Sequence, residues 1–368
     1  MNTENTAMIA MSGGVDSSVA AWLTLAEGIP CVGATMELLD GGCSSAQAIA
    51  DARSVAERLQ IPFRVYPLRE EFREAVMEDF VRCYESGLTP NPCVRCNRRL
   101  KFGKLLELAG DAGCRWVVTG HYARVRQDPE TGRYLLCKAL DSAKDQSYFL
   151  YALTQQQLSR IRFPLGALTK EEVRSIAETQ GFANARKRDS QDICFIPDGD
   201  YGAFLRRHTG KDYPQGRFLD LAGNTVGTHS GAVNYTLGQR KGLGLAMGAP
   251  VYVCAKDMRA NTVTVGPNEA LFSRELWAKD WFFHPFDWPE APLEVKAKVR
   301  SRMEEQPATL YPEEDGLCRV VFHDPQRAIT PGQAVVLYDG DTVIGGGTIV
   351  QLRVDSSTGF PHPTSHSS

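Results

Sequence analysis

The sequence predicts an α/β protein with a parallel sheet in its N-terminal part, a small central part and a C-terminal β-barrel-like part. Two observations carry this prediction. In the first half of the chain, short apolar runs alternate with segments of helical spacing, which is typical of a parallel sheet covered on both faces. Beyond Gly199, glycine, proline and β-branched residues dominate, and Leu293 to Val350 has the regular short-strand spacing of a small barrel or sandwich.

Each predicted element follows from its local pattern. Strands are predicted where short apolar runs occur, at Ala7–Met11, Pro30–Leu39, Ile61–Leu68 and Cys114–Gly120. Helices are predicted where apolar residues recur at helical spacing, at 17–28, 44–59, 70–84 and 96–109. Thr169 and Glu172 have the spacing of a capping box, which predicts one more helix.

The changes in composition place domain boundaries near residues 200 and 275. The predicted domains are 1–200, a small β-rich central domain over 201–275 and a barrel-like domain over 276–354. The last stretch, DSSTGFPHPTSHSS, is polar and low in complexity, so a disordered tail is predicted over 355–368.

Composition and charge narrow the class of protein. With 43% hydrophobic and 23% charged residues, the chain is typical of a soluble globular protein. The net charge of -3 does not indicate a nucleic-acid partner, which would have to bind through local basic patches. No apolar run approaches the ~20 residues of a membrane span, and the N-terminus lacks the basic flank of a signal peptide. The ten cysteines do not form the pattern of a secreted disulfide scaffold, so a cytoplasmic protein with reduced thiols is expected.

The string SGGVDSS, from Ser12 to Ser18, lies between a predicted strand and a predicted helix. Glycines that allow a tight turn, serine hydroxyls and the amides at a helix N-terminus together make a cradle for phosphate groups. The string lacks the lysine and the glycine spacing of a Walker A loop. The candidate ATP-binding residues are Ala10, Met11, Ser12, Gly13, Gly14, Val15, Asp16 and Ser17, with Met36 and Gly120 at the ends of two further strands. A simple serine-glycine turn that opens a helix is the alternative.

The loop resembles the pyrophosphate loop (PP-loop) of the ATP pyrophosphatase superfamily. That resemblance implies an adenine nucleotide α-hydrolase-like domain in which ATP, with Mg²⁺, is cut between its α and β phosphates. AMP is then joined to a substrate oxygen. An adenylated substrate needs a nucleophile that displaces AMP.

Two cysteines are candidates for that nucleophile. Cys96 is predicted at the start of a helix and is surrounded in sequence by Arg95, Arg98, Arg99, Lys101 and Lys104. Nearby cations and a helix N-terminus both favour the reactive thiolate. Cys194 follows the basic run Arg186, Lys187 and Arg188. The alternative for either cysteine is a buried, unreactive thiol.

Seven sequence blocks together give a more specific resemblance. They are SGGVDSS, NPCVRCNRRLKFG, TGHYAR, KDQSYFL, SQDICFI, GQRKGLG and PGQAVVLYDG, and they occur in this order. Over about residues 5 to 352 the chain resembles the tRNA-specific 2-thiouridylase family. The resemblance implies ATP-dependent 2-thiolation of the wobble uridine of tRNA, with Cys194 as the persulfide carrier and Cys96 as the catalytic nucleophile. It also implies a cysteine desulfurase, with or without relay proteins, as the sulfur source.

One position departs from the family pattern. Cys93 stands where relatives carry an aspartate that has been considered for proton transfer, so that role is in doubt here. Cys93, Cys96 and Cys194 instead provide three thiols, which could ligate a four-iron iron–sulfur cluster with one open iron. A zinc site is a weaker interpretation because no second CxxC or histidine pair is present. Cys93 as a small spectator beside the persulfide pair remains another interpretation.

Binding of tRNA would depend on local basic patches. The candidates are Arg95–Lys104, Arg186–Arg188, Arg206–Arg207, Arg240–Lys241, and Lys296, Lys298, Arg300 and Arg302, the last four being expected on one face of a strand. The resemblance implies tRNA contacts from His121, Lys144, Asp145, Gln146, Arg300, Ser301 and Gln333, with the contact from Ser301 weakened because relatives can carry tyrosine there. It also implies that Asn91, Pro92 and Cys93 lie against the target base, which must leave the anticodon stack.

Two other functions fit parts of the sequence. A PP-loop ligase that adenylates a small carboxylate or carbonyl would use the loop but not Cys96 and Cys194. A non-catalytic tRNA-binding protein that senses iron or redox state would use the cysteines but not the loop, and it would release no AMP.

Overall fold

The computed structural model describes residues 5–39, 46–187 and 193–350, together with the backbone of 352–354 and 361–363. Its N-terminal part is built from a five-stranded sheet and a hairpin. These seven strands are β1 (Ala7–Ala10), β2 (Cys31–Glu37), β3 (Phe63–Pro67), β4 (Trp116–Val118), β5 (Arg124–Gln127), β6 (Tyr134–Cys137) and β7 (Ile161–Arg162). The sheet has the order β3-β2-β1-β4-β7, and every pairing in it is parallel.

Helices cover both faces of this sheet. They are α1 (Val15–Ala26), α2 (Ala46–Arg58), α3 (Arg69–Phe72), α4 (Glu78–Glu85), α5 (Pro92–Cys96), α6 (Leu105–Asp111), α7 (Gln155–Leu158) and α8 (Lys170–Thr179). Along β1, Ala7 and Ile9 enter one apolar cluster while Met8 enters another, as expected from the alternation of side chains along a strand. The predicted parallel sheet with two covered faces is confirmed.

Two of these helices continue through π-helical segments. Arg73–Met77 joins α3 to α4, and Asn97–Lys104 joins α5 to α6. Thr169 and Glu172 form the predicted capping box at the start of α8, with Thr169 accepting from the Glu172 amide at 3.3 Å. The sequence pattern gave no indication of the π-helical segments, because they need an i→i+5 backbone bond that no residue type specifies.

The central part begins with a helix that the composition did not predict. Helix α9 (Tyr201–Thr209) is capped by Asp200, which accepts a hydrogen bond from the Ala203 amide at 2.8 Å, and it ends at Gly210 with a φ of 67°. The strands that follow are β8 (Gly216–Leu219), β9 (Thr225–His229), β10 (Tyr252–Asp257) and β11 (Thr262–Gly266), in the order β10-β11-β8-β9.

The C-terminal part is a closed barrel. Its strands are β12 (Phe272–Phe283), β13 (Leu293–Lys298), β14 (Gln306–Pro312), β15 (Cys318–Arg327), β16 (Ala334–Asp339) and β17 (Thr342–Val350). The order β12-β15-β14-β13-β16-β17 closes through a further antiparallel pairing of β12 with β17. Of the two predicted alternatives, the barrel is therefore the one that forms.

The barrel is docked on the N-terminal part. Hairpin β5–β6 extends the barrel sheet through the pairing of Cys137 with Thr342, and Tyr148 donates a hydrogen bond to the Ala334 carbonyl at 2.9 Å. One apolar cluster contains side chains of both parts, including Tyr148 and Tyr338. This shared core holds the two parts in a fixed relation.

The chain ends with two short backbone segments, β18 (Leu352–Val354) and β19 (Pro361–Pro363), which pair with each other. The rest of the predicted tail over 355–368 lies outside the described residues. No helix in the described ranges is both long and apolar enough to cross a membrane.

Candidate active site

The predicted phosphate loop is a tight connection from β1 to α1. The Met11 amide donates to the Ala34 carbonyl at 2.8 Å, and the Thr35 hydroxyl donates to the Met11 carbonyl at 2.7 Å. Gly13 has a φ of +72°, and a Cβ added there would lie 2.3 Å from the Ala48 carbonyl oxygen of α2. Only glycine fits both the left-handed backbone and this close approach.

The N-terminus of α1 presents its amides without a side-chain cap. Its N-cap residue is Gly14, so the first-turn amides have no side-chain acceptor from that position. The Ser17 hydroxyl donates to the Gly14 carbonyl at 3.0 Å and accepts from the Ser12 amide at 3.2 Å. These contacts use the Ser12 amide and the Ser17 hydroxyl within the loop, so the first-turn amides and the helix dipole are what the loop offers an anion.

Asp16, the acidic residue of the loop, is held by two residues that the sequence reasoning missed. The Lys170 ammonium lies 2.7 and 2.9 Å from its carboxylate oxygens, and the Tyr122 hydroxyl donates to it at 2.8 Å. Lys170 is 6% exposed. The partners are 154 and 106 residues away in the chain, so no local pattern could have identified them.

A second pair of residues, Asn184 and Lys187, also holds the loop. The Asn184 amide donates to the Gly13 carbonyl at 3.1 Å and to the Ser18 hydroxyl at 3.0 Å. The Lys187 ammonium donates to the Gly13 carbonyl at 3.3 Å and lies 2.9 Å from the Asp51 carboxylate. Lys187 was predicted as a cation near Cys194, but in the structure it contacts the loop and α2.

The other two predicted nucleotide residues lie at the same edge of the sheet. A Cβ added to Gly120 would come within 2.6 Å of the Asp16 carbonyl carbon and 2.7 Å of the Ser17 nitrogen, so Gly120 lies directly against the first turn of α1. Met36 lies near the end of β2, beside β1 in the sheet. The structure therefore brings residues 10–17 and Gly120 together, with Met36 on the neighbouring strand.

The cysteine-bearing helix begins earlier than the sequence predicted. Asn91 caps it by accepting from the Val94 amide at 3.4 Å, and Pro92 occupies the first turn, where a missing amide costs nothing. The exposed Cys93 is therefore the cysteine in the first turn, and Cys96 is the last residue of α5. The expectation that Cys96 starts a helix is wrong, since the cap residue precedes it by five positions.

The basic side chains around Cys96 are mostly engaged elsewhere. Four of them have partners: Arg95 pairs with Asp79 at 3.0 Å, Lys104 pairs with Glu107 at 3.2 Å, Arg98 stacks over the Phe282 ring at 4.4 Å, and Lys101 contacts His121 at 3.5 Å. Burial lowers the pKa of Arg98 below its usual range. The expectation that all five cations surround Cys96 did not take these partners into account.

Cys194 is held by its neighbour in sequence. The Phe195 ring lies 5.7 Å from Phe72, 5.3 Å from Phe80 and 5.1 Å from Phe204, measured between centroids. These four rings belong to one apolar cluster, and Cys194, Cys96 and Met36 pack against that cluster. Arg188 and Ser190–Asp192, which precede Cys194, lie outside the described residues.

The predicted iron–sulfur ligands are not gathered into a metal site. Cys93 is exposed, whereas Cys96 and Cys194 are half-buried. In the ranges 5–39, 46–187 and 193–350, no three His, Cys, Asp or Glu side chains converge so as to hold a metal ion. A cluster on these cysteines would need a different arrangement of the described residues.

Several residues predicted to contact tRNA hold the protein's own backbone. The Asp145 carboxylate accepts from the Ala139 and Ser147 amides at 3.0 and 3.2 Å, and the Gln146 side-chain oxygen accepts from the Tyr122 amide at 2.9 Å. Lys144, beside them, is half-buried. The polar contacts of these residues therefore shape the segment next to the phosphate loop.

Gln333 joins the barrel to the cysteine-bearing helix. Its side-chain amide donates to the Thr89 carbonyl at 3.0 Å and to the Pro90 carbonyl at 3.1 Å. A Cβ on Gly332, which has a φ of +90°, would lie 2.9 Å from the Thr89 nitrogen and oxygen. This barrel loop thus holds the segment that leads directly into Asn91, Pro92 and Cys93.

The predicted basic strand face is shorter than expected. Strand β13 ends at Lys298, so Lys296 and Lys298 alternate on it while Arg300 and Arg302 belong to the turn that follows. Arg300 donates to the Ala328 carbonyl at 2.7 Å, and burial lowers its pKa. Ser301 is exposed next to it. The expectation of four cations on one strand is wrong because the strand ends before the third.

Three family models match successive parts of the chain. A tRNA methyl transferase HUP domain matches residues 5–198, a tRNA methyl transferase PRC-barrel domain matches 202–267, and an aminomethyltransferase beta-barrel domain matches 273–349. A solved complex of a 4-thiouridine synthetase with RNA and ATP has a TM-score of 0.35 and 17% identity, over 52% of this chain and 45% of that one, a likeness too distant to carry an argument.

Curated relatives match nearly the whole chain. The tRNA-specific 2-thiouridylase MnmA of Acetivibrio thermocellus is 48% identical over 93% of this chain and 98% of its own. The corresponding protein of Clostridioides difficile is 47% identical over 93% of this chain and 97% of its own. That of Heliobacterium modesticaldum is 49% identical over 95% of this chain and 93% of its own. The fold and site define an enzyme of the PP-loop class, with a nucleotide-binding domain followed by two β domains. The chain belongs to the tRNA-specific 2-thiouridylase (MnmA) family.

Proposed function

We propose that the protein replaces the C2 oxygen of the wobble uridine of tRNA by sulfur, at the expense of ATP. The uracil C2 oxygen attacks the α-phosphorus of ATP and releases pyrophosphate, and a sulfur nucleophile then attacks C2 and releases AMP. One observation supports this most strongly. Met36 of the nucleotide side, Cys96 and Cys194 pack against a single apolar cluster, in a chain whose curated relatives are named 2-thiouridylases.

The phosphate loop is suited to the first step. A carbonyl oxygen of uracil is a poor leaving group, and its adenylation turns it into a good one. The amides at the N-terminus of α1 and the exposed Ser12 hydroxyl are donors for the phosphate oxygens, where charge develops. Magnesium prefers phosphate and carboxylate oxygens, so Mg²⁺ would accompany the nucleotide on its phosphate oxygens.

For the second step we propose that Cys194 carries a persulfide. The Cys96 thiolate attacks the inner sulfur of that persulfide, a Cys96–Cys194 disulfide forms, and the outer sulfur leaves as hydrosulfide. Hydrosulfide then attacks C2, the C2–O bond breaks, and AMP departs with the bonding electrons. An external thiol reductant restores both cysteines, and a cysteine desulfurase, directly or through relay proteins, reloads Cys194. We therefore place the protein in the cytosol, where thiol reductants are available.

No step is routed through an iron–sulfur cluster. Its three candidate ligands differ in exposure, and among the described residues they do not converge on one point. Iron-free enzyme supplied with a persulfide donor is therefore expected to thiolate tRNA at the full rate. Activity that appears only after iron and sulfide are reconstituted, and that is lost in Cys93→Ala, would favour the cluster instead.

We propose that tRNA reaches the site over exposed cations. Arg99, Arg206, Arg240, Lys241, Lys296 and Arg302 are all exposed, and phosphate contacts of this kind weaken as salt rises. The segment Asn91, Pro92 and Cys93 would lie against the flipped base. The family-model descriptions refer to methyl transfer, but the phosphate loop and the paired cysteines fit adenylation and sulfur transfer better.

The test is formation of 2-thiouridine. Enzyme, ATP, magnesium, a persulfide donor and tRNA are incubated, and the digested tRNA is analysed by mass spectrometry. Wild type is expected to form thiouridine, and Cys96→Ala and Cys194→Ala to form none. Cys83→Ala is the matched control, because Cys83 lies on α4 and burial raises its pKa to about 11.

Two results would redirect the proposal. AMP release that depends on a small carboxylate, and not on tRNA, would indicate a ligase. Binding of tRNA without any release of AMP and pyrophosphate would indicate a non-catalytic sensor.

A further inference from the structure

The segment Thr119–Tyr122 joins the phosphate loop to the cysteine-bearing helix. On one side, Gly120 lies against the backbone of Asp16 and Ser17, and the Tyr122 hydroxyl donates to the Asp16 carboxylate. On the other side, the His121 ring faces the helix and lies 5.7 Å from the Phe102 ring. A group that His121 holds is therefore close to the place where the nucleotide phosphates bind.

Both ring nitrogens of His121 are in use. Nδ1 lies 2.7 Å from the Thr119 hydroxyl, and Nε2 lies 3.5 Å from the Lys101 ammonium. Because an ammonium can only donate, Nε2 accepts and the proton is assigned to Nδ1. Burial and the charge of Lys101 lower the pKa of His121 well below its usual value, which agrees with a neutral acceptor. The ring is 9% exposed, so little of its surface is available for contact with an RNA strand.

Lys101 differs from most of the other cations of the helix. Arg95 and Lys104 have carboxylate partners, Arg98 stacks on Phe282, and Arg99 is exposed. Lys101 is half-buried, and among the described residues it contacts the neutral His121. An ammonium has three donors, so two of them are left for a further ligand.

The π-helical segment places this ammonium on the side of Cys96. Cys96 immediately precedes Asn97–Lys104, and Lys101 follows it by five residues. In a π-helix the backbone bonds join residues five apart, so Lys101 lies one turn beyond Cys96 on the same side. Through His121, the same ammonium is linked to the segment whose Gly120 lies against the phosphate loop.

We propose that Lys101 is a catalytic residue that binds the α-phosphoryl group of the nucleotide, and that His121 is the positioning residue that holds it there. The inference rests on the proposed function. The ammonium stabilises the negative charge on the phosphoryl oxygens while the uracil oxygen displaces pyrophosphate, and again while the C2–O bond breaks and AMP departs.

The test compares Lys101→Met and Lys101→Arg with Lys211→Met, which removes an exposed cation that pairs with Glu85 and belongs to none of the candidate tRNA patches. In a single turnover with saturating tRNA, Lys101→Met is expected to lower the rate of AMP formation about 100-fold, as for removal of one donor from a charged transition state. Lys101→Arg should recover part of that loss, and Lys211→Met should remain near wild type. Thermal unfolding and tRNA affinity of Lys101→Met should match those of Lys211→Met.

A second variant tests the positioning role. His121→Phe removes the acceptor but leaves the cation, and it should lower AMP formation, whereas His121→Gln, which can still accept, should be less impaired. If Lys101→Met weakens tRNA binding and its salt dependence, and saturating tRNA restores AMP formation, the lysine binds an RNA phosphate and the inference is overturned. A wild type that forms neither AMP nor thiouridine would instead refute the proposed function.

Discussion

Replacing Gly13 by alanine tests the close approach on which the phosphate loop depends. The φ of +72° at Gly13 costs an L-residue roughly 1–2 kcal/mol. The new Cβ would also lie 2.3 Å from the Ala48 carbonyl oxygen, more than 1 Å short of ordinary contact at 3.4 Å. Since that oxygen is backbone, the loop must move by about 1 Å, and a displacement of this size costs on the order of 100-fold in rate.

The control is Gly28→Ala. Gly28 has a similar φ of +78°, but a Cβ there meets nothing within 4 Å. Both variants should lose about 1–2 kcal/mol of unfolding free energy from backbone strain, measured by urea denaturation. Only Gly13→Ala should also lose tRNA-dependent AMP formation about 100-fold. Equal AMP formation by the two variants would refute the argument that the loop is held in place by its contact with α2.

Three further predictions concern buried groups. Lys256 has a buried ammonium with no hydrogen-bond partner among the described atoms, and burial lowers its pKa to about 8. Lys256→Met should therefore stabilise the fold by about 3 kcal/mol below pH ~8, and the gain should shrink as pH rises towards the pKa of the unfolded lysine. His284 is fully buried, and burial lowers its pKa to about 4, so stability should fall as pH drops from ~6.5 towards ~4. His284→Leu should flatten this acid limb in urea titrations, and an unchanged limb would exclude His284 as its cause. Gln333→Ala leaves the Thr89 and Pro90 carbonyls without their donor. The loss of these hydrogen bonds, worth roughly 1–2 kcal/mol, should lower thiouridine formation about 10-fold at saturating tRNA. A change in tRNA affinity alone would assign Gln333 to RNA contact.

The local pattern of the sequence was enough to predict the fold class and the first four strands of the parallel sheet. Alternating apolar runs and helical segments predicted the parallel sheet, and even strand spacing predicted the barrel, because both depend on side-chain periods of 2 and 3.6 residues. The phosphate loop was predictable for the same reason. Its strand, glycines and helix start are consecutive in the chain.

The contacts that complete the site could not be predicted in this way. Lys170 reaches Asp16 across 154 residues, and Gln333 reaches Thr89 across 244, so their pairing depends on the tertiary fold. The start of the cysteine-bearing helix was missed although its signal is local, since Asn91 and Pro92 are a typical cap and first residue. The basic cluster was misjudged because sequence shows charges without their partners, such as Asp79 for Arg95.

The central claim is that the C2 oxygen of uridine becomes part of the departing AMP. A tRNA carrying oxygen-18 at C2 of the wobble uridine tests it directly, in ordinary water with ATP and persulfide-loaded enzyme. The predicted result is AMP that carries oxygen-18 and that forms at the same rate as thiouridine. Unlabelled AMP formed alongside thiouridine would mean that water or another group takes the adenylyl moiety, and it would contradict adenylation of the base.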